Sequence, residues 1–303
     1  MTGTVPATLT PPQEHRRPRS TWRRFARHRL ACGGVLILLA VVLMALCAEA
    51  FAPRAPAAQQ LRLRLKPPGF VDARSGQTLW LGTDHLGRDI CSRIIYGSRI
   101  SLVVSLPAVA TSAIIGLTLG LLAGFYGGWC EGVLMRLVDL QLAFPFILLA
   151  LSLVALLGPS LHNIILVFAL TTWPVYARTT RGAVLSLRAQ EFVQAARSLG
   201  AGDGRILWRH VLPNVVSPVL VLASFEVARM IILESALGFL GLGVQPPIPT
   251  WGNMLADGRD YIRDAWWIAA FPGLAIMITA AGVNFLGDGL RDLFDPTLHY
   301  TGS

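Results

Sequence analysis

The chain has 303 residues, 53% of them hydrophobic and 14% charged, with a mean hydropathy of +0.56, which excludes an ordinary soluble domain and marks an integral membrane protein. Its net charge of +9 sits largely in an Arg-rich N-terminal tail and a central polar island, a distribution that reads as membrane topology rather than nucleic-acid binding. Cys32, Cys47, Cys91 and Cys130 form no CxxC and the six histidines no HExxH, so neither a metal centre nor redox chemistry is indicated.

Residues 1–29 read as a cytoplasmic basic tail. Met1 to Pro18 is polar and Pro-rich, and WRRFARHR, Trp22 to Arg29, abuts the membrane and fixes that end inside. Leu30 to Phe51 follows as a first span. Its apolar run of about 20 residues is spanning length, longer than the ~7–15 of a signal peptide, so Ala48-Glu49-Ala50 reads as anchor rather than cleavage site. Residues 52–100 are then expected outside, with a short strand in the alternation Leu61 to Leu65 and a turn at Pro67-Pro68-Gly69. Thr83 or Asp84 is placed to cap an interfacial helix on which Ile90, Ile94 and Gly97 share a face while Arg88, Arg93 and Arg99 snorkel. The eight basic residues of this outer segment run against the positive-inside tendency. LGTDHLGRDICSRIIYGSRISL, from Leu81, resembles the segment before the second span in the C-type permease subunit of dipeptide, oligopeptide and nickel importers.

Residues 101–288 read as the permease transmembrane domain. The second span, Ser101 to Phe125, carries Gly116, Gly120 and Gly124 at i, i+4 and i+8, a small-residue ridge for helix packing. YGGW, Tyr126 to Trp129, turns the chain. The third span, about Val138 to Leu157, contains Pro145 and the fourth, about Asn163 to Thr180, contains Pro174, both kink sites if neighbours satisfy the freed carbonyls. Arg178 and Arg181 mark the cytoplasmic end of the fourth.

A polar loop, 183–213, comes next. Within it Phe192, Ala195, Ala196 and Leu199 fall on one helical stripe, opposite Glu191, Gln194, Arg197 and Ser198. Gly200 stands where a helix ends left-handed, and Asp203 is placed to cap a second short helix, Gly204 to His210, that Leu212-Pro213 breaks. A DNA-binding helix-turn-helix would need a supporting helical domain, and apolar spans begin within a few residues on either side. A plain solvated loop would not show apolar positions at helical spacing. The loop resembles the cytoplasmic coupling loop of ATP-binding-cassette importer permeases, whose pattern is Glu-Ala-Ala, three residues, Gly, nine residues, Ile, one residue, Leu-Pro. Gln194, Ala195, Ala196, Gly200, Leu212 and Pro213 occupy its positions in register, with two departures, Gln194 for the Glu and His210 for the Ile. The resemblance implies that Phe192, Gln194, Ala195, Ala196, Leu199, Gly200, Asp203 and Pro213 couple this chain to an ATPase.

The fifth span, about Val215 to Leu242, places Glu226, Arg229 and Glu234 in apolar surroundings. Either they line a translocation pathway or Glu226 and Arg229, at i and i+3, neutralise each other against a neighbouring helix. VQPPIPTWGNML, Val244 to Leu255, reads as a Pro-stiffened external loop, Trp266-Trp267 as an interfacial aromatic pair opening the sixth span, and 289–303 as a cytoplasmic tail.

The fold expected is all-α, six transmembrane helices with a cytoplasmic coupling-helix loop and both termini inside the cell membrane. No catalytic constellation and no metal site is found. Lys66, the sole lysine, precedes Pro67, so the chain lacks a P-loop and binds no cofactor; ATP and Mg belong to partner ATPase subunits. From Leu81 to Pro296 the chain resembles the importer subfamily. That implies a B-type permease partner, two ATP-binding subunits, an extracytoplasmic solute-binding protein and surrounding lipid, with peptides imported, or alternatively nickel, glutathione or haem. A stand-alone secondary transporter would show an internal repeat of spans, and none is found. An intramembrane enzyme would have only Glu226, Arg229 and Glu234 to work with.

Overall fold

The computed structural model describes residues 28–294, folded as a helical bundle with one irregular segment at its end. Helix α1, Arg29–Leu46, is capped by His28, whose Nδ1 accepts from the Ala31 N–H, and a single turn, α2, Ala48–Phe51, follows after Cys47. The segment before the next helix contains a 3-10 turn, Leu61–Leu63, and a hairpin pairing β1, Phe70–Val71, antiparallel with β2, Thr78–Leu79. The strand expected over 61–65 is therefore absent. Leu63 is buried and Leu61 exposed, and a tight turn lets Leu63 dock while Arg62 swings to Asp72.

Helix α3 runs unbroken from Ile90 to Tyr126, 37 residues and roughly 55 Å at 1.5 Å per residue. No separate interfacial helix precedes it. Its cap is Asp89, which accepts from the Ser92 N–H, rather than Thr83 or Asp84. Thr83 instead bonds the backbone of Leu63 and Lys66, and Asp84 binds arginines. After the glycine turn the third span is broken: α4, Gly128–Leu142, and α5, Phe146–Leu157, meet at 86° at Pro145.

Helix α6, Leu161–Arg188, contains Pro174 and continues past it. The proline frees the carbonyl four residues back, and Gln141 Nε2 donates to that Leu170 oxygen at 2.6 Å. Along its length α6 meets the glycine ridge of α3. A Cβ on Gly116 would lie 2.3 Å from Tyr176 Cβ, and one on Gly120 2.5 Å from the Ala177 carbonyl. The ridge is a packing face, as its spacing predicts.

Helices α7, Glu191–Ser198, and α8, Asp203–Ile206, form the polar loop, and a π-helical stretch, Leu207–Val211, runs into α9, Leu212–Phe239. Pro213 does not break this helix. In the wide turn the Leu212 N–H reaches Leu207 O, and Asn214 Nδ2 donates to His210 O at 2.6 Å. Helix α10, Trp251–Arg259, is capped by Thr250 where an extended loop is expected, and α11, Trp267–Phe294, closes the bundle. Among the described residues four helices are long and apolar enough to cross a membrane, or five if α4 and α5 form one crossing. Helix α6 has the length, but Thr171, Thr172, Pro174 and Arg178 lower its apolarity.

Two cores hold the bundle. One gathers Val104, Phe125, Phe168, Tyr176 and Met230 between α3, α5, α6 and α9. The other gathers Val41, Ile90, Ile231, Trp251, Trp267 and Ile268 between α1, α3, α9, α10 and α11. Trp267 belongs to that second core, donating from Nε1 to Thr83 O at 3.1 Å, while only its neighbour Trp266 is exposed.

Candidate functional site

Helix α7 hangs at the end of α6, and its residues divide into two apolar faces. Val193 is 2% exposed and Ala196 half-buried, both packed on the first core. Phe192, Ala195 and Leu199 point away; Leu199 is 88% exposed. At about 100° per residue the two faces adjoin, so the apolar arc is wider than the surface this chain covers. Val193 was not among the residues singled out from sequence, although its i, i+3 relation to Ala196 signals the inward face.

The polar residues complete the element. Gln194 Nε2 donates to Ala189 O at 3.3 Å, back onto the helix start. Leu199 caps the C-terminus and Gly200 follows at φ +79°, the left-handed residue its position predicts. Asp203 is the first residue of α8 rather than its cap, which is Gly202, and it lies 3.7 Å from Arg197 in an exposed pair. The His210 ring lies 6.5 Å from Phe192, so the residue that departs from the family pattern supports the exposed stripe. Pro213 stands behind this contact at the start of α9. Arg188 Nη1 donates to Gly124 O at 3.0 Å, fixing the end of α6, which carries α7, to the end of α3.

Of the three charges of α9, Glu226 and Arg229 pair and Glu234 lies apart. Arg229 bonds both carboxylate oxygens of Glu226, at 3.1 and 3.2 Å, and its guanidinium lies 4.8 Å over the Phe146 ring at the start of α5. The Glu226 side chain is 8% exposed and that of Arg229 41%. Glu234 is wholly buried between α9 and α3, where Ser101 Oγ donates to Oε2 at 3.4 Å and Oε1 meets no partner among the described residues.

At the opposite end lies an ion cluster that the sequence reading treats as snorkelling arginines. Arg88 donates from Nε to Asp84 at 2.6 Å and from Nη2 to Asp257 at 2.8 Å, and Arg93 bridges the same two carboxylates. Arg54 and Arg62 converge on Asp72, and Arg64 reaches Tyr261 Oη at 3.4 Å. Four of the eight basic residues of 52–100, Arg54, Arg62, Arg88 and Arg93, are thus paired with carboxylates. Asp84, His85 and Asp257 lie close enough to ligate a metal, but two guanidinium groups already occupy the carboxylates. The i, i+4 spacing of Asp84 and Arg88 was the available signal.

Residues 116–300 match the family described as binding-protein-dependent transport system inner membrane component, and residues 19–68 the N-terminal transmembrane domain of oligopeptide transport permease C. A di/tripeptide transport system permease protein of Pseudomonas aeruginosa is 46% identical over 91% of this chain and 91% of its own. A dipeptide transport system permease protein of Alkalihalophilus pseudofirmus is 42% identical over 95% and 94%, and a glutathione transport system permease protein of Pectobacterium atrosepticum 42% over 92% and 91%. Among solved structures, the inward-facing MetNI methionine ABC transporter matches with a TM-score of 0.56 at 18% identity, covering 66% of this chain and 96% of that one.

Proposed function

This chain belongs to the binding-protein-dependent transport system inner membrane component family, and from that premise we propose that it is the permease subunit of an ATP-binding-cassette importer of dipeptides or other short peptides. Relatives at 40 to 46% identity over most of the chain carry dipeptide or peptide permease names, which supports the solute class. The glutathione relative keeps a second reading, a modified tripeptide of the same chemical class. In this mechanism ATP and Mg are bound by two partner ATPase subunits, a second, B-type permease completes the pathway, and an extracytoplasmic binding protein selects the solute.

The observation that carries the coupling assignment is the uncovered apolar stripe of Phe192, Ala195 and Leu199 on a short helix set between α6 and α9. A groove on the ATPase would cover that stripe. Because α7 is seated on the core through Val193 and tied through Arg188, a push on it moves the helices that flank the pathway. Gly200 lets the chain turn back sharply. Of the membrane-depth charges, Arg229 is the pathway-facing member and Glu226 its anchor, since only Arg229 keeps substantial exposure.

The test is Ala195→Glu. Ala195 is exposed, so the change leaves the fold of this chain intact, whereas Ala196→Glu would also disturb the core on which that residue packs. A charge buried unpaired in a partner groove costs on the order of several kcal/mol. Uptake should fall tenfold or more while the protein reaches the membrane at its usual level. Unchanged uptake and unchanged solute-stimulated ATPase activity would remove α7 from the coupling role.

A further inference from the structure

A groove of about 500 Å³ runs between the end of α1 and the first half of α3, lined by Val42, Leu46, Leu102, Val103 and Leu106 with Arg99 as the single charge. Arg99 Nε donates to Ala45 O at 3.0 Å and Nη2 to Leu46 O at 3.4 Å, the last carbonyls of α1. Its guanidinium lies 5.9 Å over the Tyr96 ring, and Nη1 meets no acceptor among the described residues. On the far side of Arg99 a second hollow of about 340 Å³ opens between Tyr96 and the prolines 247 and 249. The guanidinium therefore stands between the apolar trough and this second hollow.

Position selects the occupant. Leu36, Leu39, Leu43 and Leu46 of α1 are exposed, as are Val103 and Leu106 of α3, so the trough opens onto the lipid-facing surface of two candidate spans. Helix α1 is 18 residues long, about 27 Å, close to the roughly 30 Å hydrocarbon thickness. Arg99, bonded to its last carbonyls, therefore sits at one boundary of the hydrocarbon, at the depth of the phosphates. A guanidinium forks onto phosphate oxygens, and an apolar trough beside it takes a hydrocarbon chain. We propose that this groove binds a phospholipid of the bilayer, with one acyl chain between α1 and α3 and the phosphate held by Arg99.

The experiment places photoreactive benzoylphenylalanine at Val103, an exposed position, in the full chain expressed with its partners in cell membranes, and a second probe at Leu36 as a reference for general lipid contact. After irradiation, mass spectrometry should find a phospholipid adduct at 103 at several times the yield at 36. Arg99→Gln should lower the adduct at 103 about tenfold, and Arg99→Lys should restore most of it. Leu102→Trp fills the trough while leaving Arg99 in place, and should lower the adduct at 103 without changing that at 36. A protein adduct at 103 would assign the groove to a neighbouring subunit and overturn the proposal. Equal lipid labelling at both positions, indifferent to Arg99→Gln and Leu102→Trp, would overturn it as well.

Discussion

Glu226 keeps 8% of its side chain exposed and Arg229 41%, so the two halves of this ion pair respond differently to neutralisation. In Arg229→Gln the carboxylate is left buried without the Nη1 donor its two oxygens share, and an unsatisfied buried charge costs upward of ~1–3 kcal/mol. In Glu226→Gln the guanidinium keeps solvent and the Phe146 ring. Thermal unfolding of the purified complex should therefore fall further for Arg229→Gln than for Glu226→Gln, and the double variant should recover part of the loss; equal losses in the two single variants would show that burial does not govern the pair. In the segment before α3, the Arg62 guanidinium first, then the Ser75 hydroxyl and the Arg74 N–H, hold the Asp72 carboxyl far below the usual carboxylate range, against the opposing effect of burial. A lowered folded value means that the stabilisation is complete above the unfolded value of about 3.9 and is lost as pH falls through the folded one. Amide protection over residues 70–79, taken relative to the intrinsic exchange rate at each pH, should hold from neutral pH down to about pH 4 and weaken below it. Asp72→Asn should weaken it at pH 7 and flatten that acid dependence; an unchanged acid limb would mean the contact is not linked to the fold of the hairpin. Neither pair is legible from sequence alone, because Arg62 and Asp72 are ten residues apart in irregular chain, and i, i+3 spacing marks Glu226 and Arg229 as neighbours without saying which is buried.

At the scale of elements, what was legible is what repeats. The glycine ridge of α3 follows from spacing, as does the left-handed end of α7 at Gly200, because each depends on one helix and its own period. What failed depended on partners from distant sequence. The bond that satisfies the carbonyl freed by Pro174 comes from Gln141, 29 residues away from Leu170. Thr83 and Asp84 look like caps until Leu63 and the arginines claim them. The ridge gives the firmest prediction. A methyl on Gly120 would meet the Ala177 carbonyl at 2.5 Å and Thr180 Cβ at 2.6 Å, and overpacking of a tight contact costs about 1–3 kcal/mol. Gly120→Ala should lower the unfolding temperature and the yield of assembled complex, while Gly132→Ala, with nothing within 4 Å, should leave both as they are. Equal tolerance of the two would show that α3 and α6 separate at little cost.

For the whole molecule, one contact constrains the path of the chain. His28 Nε2 lies 3.3 Å from Asp292 Oδ2, so the start of α1 and the end of α11 share a face of the membrane. An even number of crossings must join them. The four long apolar helices and the bent α4–α5 pair supply five, and α6 is the remaining element of sufficient length, lying against α3 from the Ser112 contact with Ala169 to that of Gly124 with Val184. Its lower apolarity follows from its place behind α3 and α9, where Thr171, Thr172 and Thr180 are buried in protein rather than turned to lipid. With the bent pair counted as one crossing, an even total requires α6 as a sixth, and with that pair re-entrant the four long helices suffice; either count sets α7 on the same face as His28 and Asp292. A reporter that needs the cytoplasm should be active when fused after Arg205 or Ser303 and inactive after Gln77 or Gly258. Activity at Gln77 with none at Arg205 would invert the molecule and place α7 where no ATPase could reach it. Opposite results at Arg205 and Ser303 would mean that α9 and α11 are not both crossings.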